Sequence, residues 1–372
     1  MNKETLDKLI EYGDKKDFSD MTWEEIKNSL NDEFGLERSE SWYRKKYHEL
    51  VSNLNKIDSI DEEVKPNRFR LSDEVNQANA LFRRMSREET IKEIAHDFAL
   101  VMNKEKMLAS HAKISTKNSE YSGILMISDW HYGIEFETYS NRYNTKICKA
   151  RVCELRDKVI NYINRYNLSD LTIINLADMI AGRIHLQLRL NSRIDVVTQI
   201  MEVSEMIAEF IDDISDYVKV NYYEVLDNHS RLEPNKKEAM NLESLARITG
   251  WYLSERLSEN KNVKINTDTK SFIDFKVKGH NIMAVHGDKD KPSTVASDLS
   301  RYTDKHIDVV CTAHRHHFSC DEDNKTMVVC NGTLMGTDEF AEDLRLSSSP
   351  SQNLIIVSDD NPTEAIHRIV LK

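Results

Sequence analysis

The chain is 372 residues long with 40% hydrophobic and 31% charged side chains, enough apolar material for one large core plus a smaller module and too much for a disordered chain. Its 51 lysines and arginines against 63 aspartates and glutamates leave a formal net charge of −12, so contact with nucleic acid needs a local basic patch or bound cations. No apolar run approaches ~18 residues and Met1-Asn2-Lys3-Glu4 opens no apolar leader, so a spanning helix is excluded and a cytoplasmic setting is expected. The five cysteines form no CxxC pair, which argues against a disulfide framework or a thiolate zinc site.

Residues 1–56 read as a helical module. Thr22 and Glu25 form an S/T-x-x-E box in front of Ile26, Leu30 and Phe34, a buried stripe at i, i+4, i+8 that Gly35 stops. Ser39 is the expected cap of the next helix, whose outer face carries Arg44, Lys45 and Lys46 beside Trp42, Tyr43 and Tyr47. Helix, short turn and basic aromatic helix is the order of a helix-turn-helix, which makes these three cations a weak candidate DNA contact; a plain packing module is the favoured reading, since Arg and Lys on an exposed helix face are ordinarily just solvated. Residues 57–115 read as a linker followed by a bridging helix, with Ala78, Leu81, Phe82 and Met85 repeating at helical spacing from about residue 74. That helix and the one expected at 193–213 carry apolar faces that serve either an intramolecular core or a homodimer seam.

From residue 116 the texture changes. Ile124-Leu125-Met126-Ile127, Leu171-Thr172-Ile173-Ile174 and 218–225 read as strands, separated by helical stretches near 145–166 and 193–213. A further helix near 238–259 leads into crowded strand signals at 272–277, 281–285, 307–311, 326–330 and 353–357. Alternation followed by clustered strands predicts an α/β domain with two sheets stacked between helices.

Five of these segments end in residues able to bind metal. Asp129 and His131 follow the first strand, Asp178 the second, Asn228 and His229 the third, His286 a later strand, and His314 and His316 another. In an extended Asp-x-His or His-x-His segment alternate side chains point the same way, so each pair reaches one place. Taken singly, an Asp after a strand is ordinarily a turn residue and a lone His a hydrogen-bonded core residue. Five repetitions at the same place relative to a strand point instead to a shared site in the crevice beyond the strand ends.

These blocks, Asp129-Trp130-His131, Ala177-Asp178, Asp227-Asn228-His229, His286 and Ala313-His314-Arg315-His316, stand in the order found in the calcineurin-like metallophosphoesterases, which residues 121–360 strongly resemble. The resemblance implies a four-layer α-β-β-α sandwich and two divalent metal ions. Asp129, His131, Asp178 and His316 would hold one and Asp178, Asn228, His286 and His314 the other, with Asp178 bridging. His229 would contact the substrate phosphate and assist the leaving group while a metal-bound hydroxide attacks. The mixed nitrogen and oxygen donors suit Mn²⁺ best, with Fe²⁺ or Zn²⁺ as alternatives to it. Alanine or aspartate replaces the family's glycine at 177, 227 and 313, which bears on loop geometry wherever φ is positive.

Ser128-Asp129-Trp130-His131-Tyr132-Gly133 is similar to the opening of the repair-nuclease branch, and the run from Asp178 through the helix at 193–213 is similar to phage and prophage phosphoesterases described as DNA-repair exonucleases. Arginine suits bidentate phosphate contacts, so His185, Arg189, Arg193, Arg231 and Arg315 are candidate substrate groups. Phosphodiester hydrolysis in DNA is the leading expectation. Hydrolysis of nucleotides or another small phosphoester is the alternative, and a DNA-binding or structural protein with an inactive site the third.

Overall fold

The computed structural model describes residues 3–16, 21–59, 75, 77, 119–184, 191–226, 228–233, 235, 238–240, 243–267 and 270–372. The chain divides into two compact units, Met1–Glu88 and Glu89–Lys372.

In the first unit, helices α1 (Lys3–Lys16), α2 (Trp23–Phe34) and α3 (Glu40–Ser59) pack around Leu9, Ile26, Leu30, Tyr43 and Tyr47. The capping box at α2 is formed: Glu25 N–H donates to Thr22 Oγ1 at 3.3 Å and Thr22 N–H to Glu25 Oε2 at 2.7 Å. Gly35 closes the helix with φ 60°, a left-handed turn that suits glycine. Ser39 caps α3 through Trp42 N–H at 3.3 Å. Tyr43 and Tyr47 belong to the core rather than to an exposed stacking face, and the Tyr43 hydroxyl donates to Asn31 at 2.9 Å. The linker expected from residue 57 starts later, since α3 runs to Ser59; the rest of it and nearly all of the expected bridging helix lie outside the described residues.

The second unit is built on two sheets. In chain order its elements are β1 (Ser122–Ile127), β2 (Phe136–Glu137), β3 (Arg142–Tyr143), α4 (Thr145–Tyr166), β4 (Asp170–Asn175), α5 (Val196–Ser215), β5 (Lys219–Glu224), α6 (Ala246–Arg256), β6 (Val263–Ile265), β7 (Phe272–Val277), β8 (His280–Val285), α7 (Val295–Thr303), β9 (Val309–Thr312), β10 (Ser319–Asp323), β11 (Thr326–Cys330), α8 (Glu339–Asp343), β12 (Ser351–Val357) and β13 (Ala365–Val370). The first sheet has the order β13-β12-β1-β4-β5-β6 and the second β10-β11-β9-β8-β7. β1, β4, β5 and β6 run parallel, as do β8, β9 and β11, so several loops leave each sheet at carboxyl ends.

Strand alternation builds the layers. Ile124 and Met126 of β1 turn inward to meet Ala284, Val309, Cys311 and Val329 of the other sheet, while Leu125 and Ile127 turn outward beneath α4, α5 and α6. Met283, Val285 and Val310 face α7 on the far side. The result is an α/β/β/α sandwich, preceded in the chain by an all-helical segment. Both faces of β1 are buried, which is why 124–127 reads as a continuous apolar run; β12 is buried throughout as well, but only 354–357 is apolar.

Two expected elements shift and several strands are added. The helix near 238–259 begins only at Ala246, because Leu245 N–H donates to Ser230 O at 2.8 Å and ties the preceding residues to the loop after β5. The helix expected from 193 begins at Val196, where Asp195 accepts from Val197 and Thr198 N–H, both at 3.0 Å. β2, β3, β6, β10 and β13 are additions to the expected strands: the first three are only two or three residues long, β10 is exposed and acidic, and His367 and Arg368 interrupt the apolar run of β13.

Candidate metal centre

The loop after β1 is laced to the loop after β4. Asp129 N–H donates to Ala177 O and His131 N–H to Asp178 O, both at 3.0 Å. This brings the two carboxylates side by side. The backbone is not extended there, contrary to the sequence expectation: Asp129 (φ 52°), His131 (45°), Ala177 (78°), Asp178 (54°), His314 (69°) and His316 (58°) are all left-handed. Asp129 with His131, and His314 with His316, repeat one conformation at alternate positions. Each pair therefore still converges, by curling instead of pleating. Left-handed backbone costs an L-residue ~1–2 kcal/mol, and here it is concentrated on the donor loops.

The side chains form overlapping clusters. Asp129, His131 and His316 make one: His316 Nε2 lies 3.4 Å from Asp129 Oδ1 and 3.2 Å from His131 Nε2. Asp178, His286 and His314 make a second, with His286 Nε2 at 3.1 Å from both Asp178 Oδ2 and His314 Nδ1. His131, Asp178 and His229 join them. Asn228 stands beside this junction, since the next residue's N–H reaches Asp178 Oδ1 at 3.4 Å.

The residues fit divalent metal. Donors bound to one ion at ~2.0–2.2 Å lie roughly 2.8–3.6 Å from one another, and the four close contacts above fall in that window. His131 Nδ1 and Asn228 Oδ1 are buried with no hydrogen-bond partner among the described residues. A buried polar atom left in this way is costly unless something binds it. His286 Nδ1 donates to Leu176 O at 2.7 Å, which fixes its tautomer and turns Nε2 toward Asp178 and His314.

Electrostatics agree with the geometry. Burial pushes the Asp129 carboxyl up, but the hydrogen bond and charge of His316 outweigh it and hold Asp129 below its usual range. Burial likewise lowers His316, and Asp129 more than restores it. Burial drives His131 well below its ordinary value, helped by His229 and His316, so it stands neutral, the form that binds metal. Burial opposes ionisation of Asp178, yet His229 and His286 hold it well below the carboxylate range.

The other expected site residues part company. His229 meets the cluster: Nδ1 donates to Ala181 O at 3.0 Å, Nε2 lies 3.8 Å from Asp178 Oδ2, and its ring packs edge-on against His131 at 4.7 Å. Arg231 is buried and turned into its own loop, donating to Asn228 O at 2.9 Å and Glu233 O at 3.0 Å. Arg315 is exposed, 3.4 Å from Asp290 O. Arg193 pairs with Glu135 at 3.0 Å. His185, Arg189 and Asp227 lie outside the described residues. In the first unit Arg44 and Lys45 are exposed, while Lys46 pairs with Glu49 at 3.0 Å.

Sequence reasoning missed the groups that brace the donors. Ser128 Oγ donates to Asp129 Oδ2 at 2.7 Å, Thr333 Oγ1 to Asp129 O at 2.8 Å, and Asn331 Nδ2 to Ser128 Oγ at 2.9 Å. The one signal available for Asn331 and Thr333 was their place just after a strand, in Cys330-Asn331-Gly332-Thr333.

In its stacked sheets and the donors at their strand ends, the fold resembles the calcineurin-like metallophosphoesterases. A model of the YonJ N-terminal domain matches residues 1–60. The chain is 25% identical over 371 residues to the SPbeta prophage-derived uncharacterized protein YonJ of Bacillus subtilis (strain 168), covering 92% of this chain and 90% of that protein. Among solved structures, a novel archaeal phosphodiesterase matches with a TM-score of 0.35 at 15% identity, covering 67% of this chain and 99% of that one. Vps29 from Entamoeba histolytica, complexed with zinc, matches with a TM-score of 0.31 at 12% identity, covering 67% and 99% respectively. Among the described residues, no helix is long and apolar enough to cross a membrane.

Proposed function

We propose that this chain is a two-metal phosphodiesterase and that DNA is its substrate. The observation that carries the reading is the junction at Asp178, where two His/Asp clusters share a carboxylate beside His229. Asp129, His131, Asp178 and His316 would hold one divalent ion and Asp178, Asn228, His286 and His314 the other, Mn²⁺ suiting the donor mix best. Such a pair, when bound, supplies Lewis acidity to a phosphoryl oxygen and a nucleophile at neutral pH. It also lets a chain of net charge −12 hold an anion.

The remaining work falls to the chain. His229 faces the departing oxygen through Nε2, because Ala181 O holds its Nδ1–H; doubly protonated, it gives the Nε2 proton to that oxygen and is left as the Nδ1–H imidazole. Arg231 keeps Asn228 in place by holding its carbonyl. Exposed Arg315 is the described arginine best placed in sequence to meet a phosphate, lying between His314 and His316. Arg44 and Lys45 on α3 would add a salt-sensitive DNA contact.

One observation favours the second reading, a small phosphoester. Asp338 acts on His316, and α8 directly after it carries Glu339, Glu342 and Asp343, negative charge that repels a long polyanion on that side. The test is elemental analysis of the purified chain, then a Mn²⁺-supplemented screen of single- and double-stranded DNA, bis(p-nitrophenyl) phosphate and nucleotides, with EDTA as control. DNA cleavage stopped by EDTA supports the first reading; turnover of small esters alone supports the second. His229→Ala is expected to lower turnover by ~10²–10⁴-fold with both metals retained. Failure to take up any transition metal removes the hydrolase reading altogether.

A further inference from the structure

Gln199 lies near the start of α5 and is 1% exposed although it carries an amide. That amide is spent on the loops around it. Its Oε1 accepts the Gly182 N–H at 3.0 Å, and its Nε2 donates to Ile194 O at 3.1 Å and lies 3.4 Å from Ser192 Oγ. The side chain also lies flat on Gly133, where a Cβ would come within 2.6 Å of its Cδ and where φ is 107°.

The backbone it grips is the backbone that carries the donors. Ala181 N–H donates to Tyr132 O at 3.0 Å and Arg193 N–H to Gly133 O at 3.3 Å, so three segments meet at this one amide. Gly182 in turn is pressed onto His229: a Cβ there would stand 2.2 Å from His229 O. The residue before it supplies the carbonyl that takes the His229 Nδ1 proton at 3.0 Å. A buried amide is costly unless hydrogen-bonded, and a methionine would fill the same volume without that liability, so the amide itself needs a reason.

We infer that Gln199 is a positioning residue for His229. By holding the Gly182 N–H it fixes the Ala181 carbonyl, and that carbonyl keeps the imidazole proton on Nδ1 and turns Nε2 toward Asp178, 3.8 Å away. Imidazole takes either tautomer with little preference of its own, so an outer acceptor decides which nitrogen faces the reaction.

The effect on turnover rests on the phosphodiesterase reading; the tautomer does not, and the experiment separates the two. In the full chain, Gln199→Met removes both hydrogen bonds at similar volume, whereas Gln199→Glu keeps an acceptor for Gly182 N–H. Long-range ¹H–¹⁵N spectra, with His229→Ala for assignment, report the His229 tautomer; Mn²⁺ content, kcat and KM are measured on the same samples. Gln199→Met is expected to populate the Nε2–H tautomer and lower kcat about 10–100-fold, with metal content kept. Its KM is expected to stay within about threefold, and Gln199→Glu to restore both tautomer and kcat. A single Nδ1–H tautomer in Gln199→Met overturns the inference, as does an equal loss of kcat and metal in both variants. If the wild type cleaves no phosphodiester, the tautomer still decides the role of Gln199 and only the functional reading falls. Should Gln199→Met not fold, Gln199→Asn withdraws the amide from Gly182 and gives the same readout.

Discussion

The two units of this chain obey local rules to different degrees. In the helices of Met1–Glu88, caps, stripes and turn residues all agree with the structure: Thr22 caps, Ile26 and Leu30 are buried, and a glycine takes the left-handed turn. Among the described residues, every non-glycine with positive φ lies in the other unit, and six of the twelve are on the donor loops. Where the chain only has to pack, propensity and fold coincide. Where it has to aim side chains at a common point, it accepts strain that the surrounding sheets must outweigh.

The comparison is broken most severely at Asp178, which belongs to two of the three His/Asp clusters among the described residues. Asp178→Asn keeps the shape and removes the charge. Metal content is expected to fall, and activity to drop by more than the ~10–100-fold that loss of an outer hydrogen-bond partner costs. Far-UV circular dichroism should not change, because the sheets do not depend on that charge. Unaltered metal content would put the centre elsewhere.

Leu30→Ala makes the reciprocal test. Leu30 is fully buried in a core of few residues, with Leu9, Ile26, Tyr43 and Tyr47. Its truncation is expected to cost ~2–5 kcal/mol, a large share of what a small domain has. Limited proteolysis should then cut within the helical module while elemental analysis finds the metal content of the wild type.

A smaller effect belongs to the frame behind the site. Glu205 on α5 meets Arg256 on α6 at 2.8 Å and also accepts from Tyr252. Burial pushes its carboxyl up, but the Arg256 and Tyr252 hydrogen bonds outweigh this and hold it below the ordinary 4.5. A depressed carboxyl adds stability above its unfolded value and loses it as pH falls through the folded one. Glu205→Gln is thus expected to cost about 1–2 kcal/mol at pH 7, discounted for partial exposure. The gap between the urea midpoints of variant and wild type should close as the pH drops below 4.5. A constant gap would mean that packing, not charge, holds these helices together.

How much of this was legible in the sequence follows from what each residue needs. Side chains able to bind metal come from a short list of residue types, and parallel strands bring their ends together, so the convergence of Asp129, His131, Asp178, His286, His314 and His316 could be read from type and place, with Asn228 beside them. The apolar strands were legible for a related reason, since burial on both faces leaves no polar interruption. Gln199 was not legible, because a buried amide answers to whichever backbone groups happen to surround it and no spacing records that, and Asn331 offered only its place just after a strand. Arg231 shows the opposite error. An arginine two residues from His229 reads as a phosphate contact, but its guanidinium is consumed by loop carbonyls. Tyr43 and Tyr47 likewise read as companions of a basic face, and the small core needed their rings more.

The finest test concerns Ala177, which stands at φ 78° where the family pattern has glycine. Replacing it by glycine relieves ~1–2 kcal/mol of left-handed strain. The unfolded chain gains freedom worth ~0.4–1 kcal/mol in the other direction. The methyl group is also lost from the inter-sheet core, where Ala177 is 2% exposed, and a buried carbon of that size contributes ~0.8 kcal/mol. The three contributions nearly cancel. Ala177→Gly is therefore expected to shift stability by less than about 1 kcal/mol and to leave metal content unchanged. That balance explains how an alanine persists at a glycine position: its methyl fills the space between the sheets that its backbone strain would otherwise leave without compensation. A loss of more than about 2 kcal/mol in thermal or urea unfolding would show instead that the methyl group, through its packing, holds Asp178 in place.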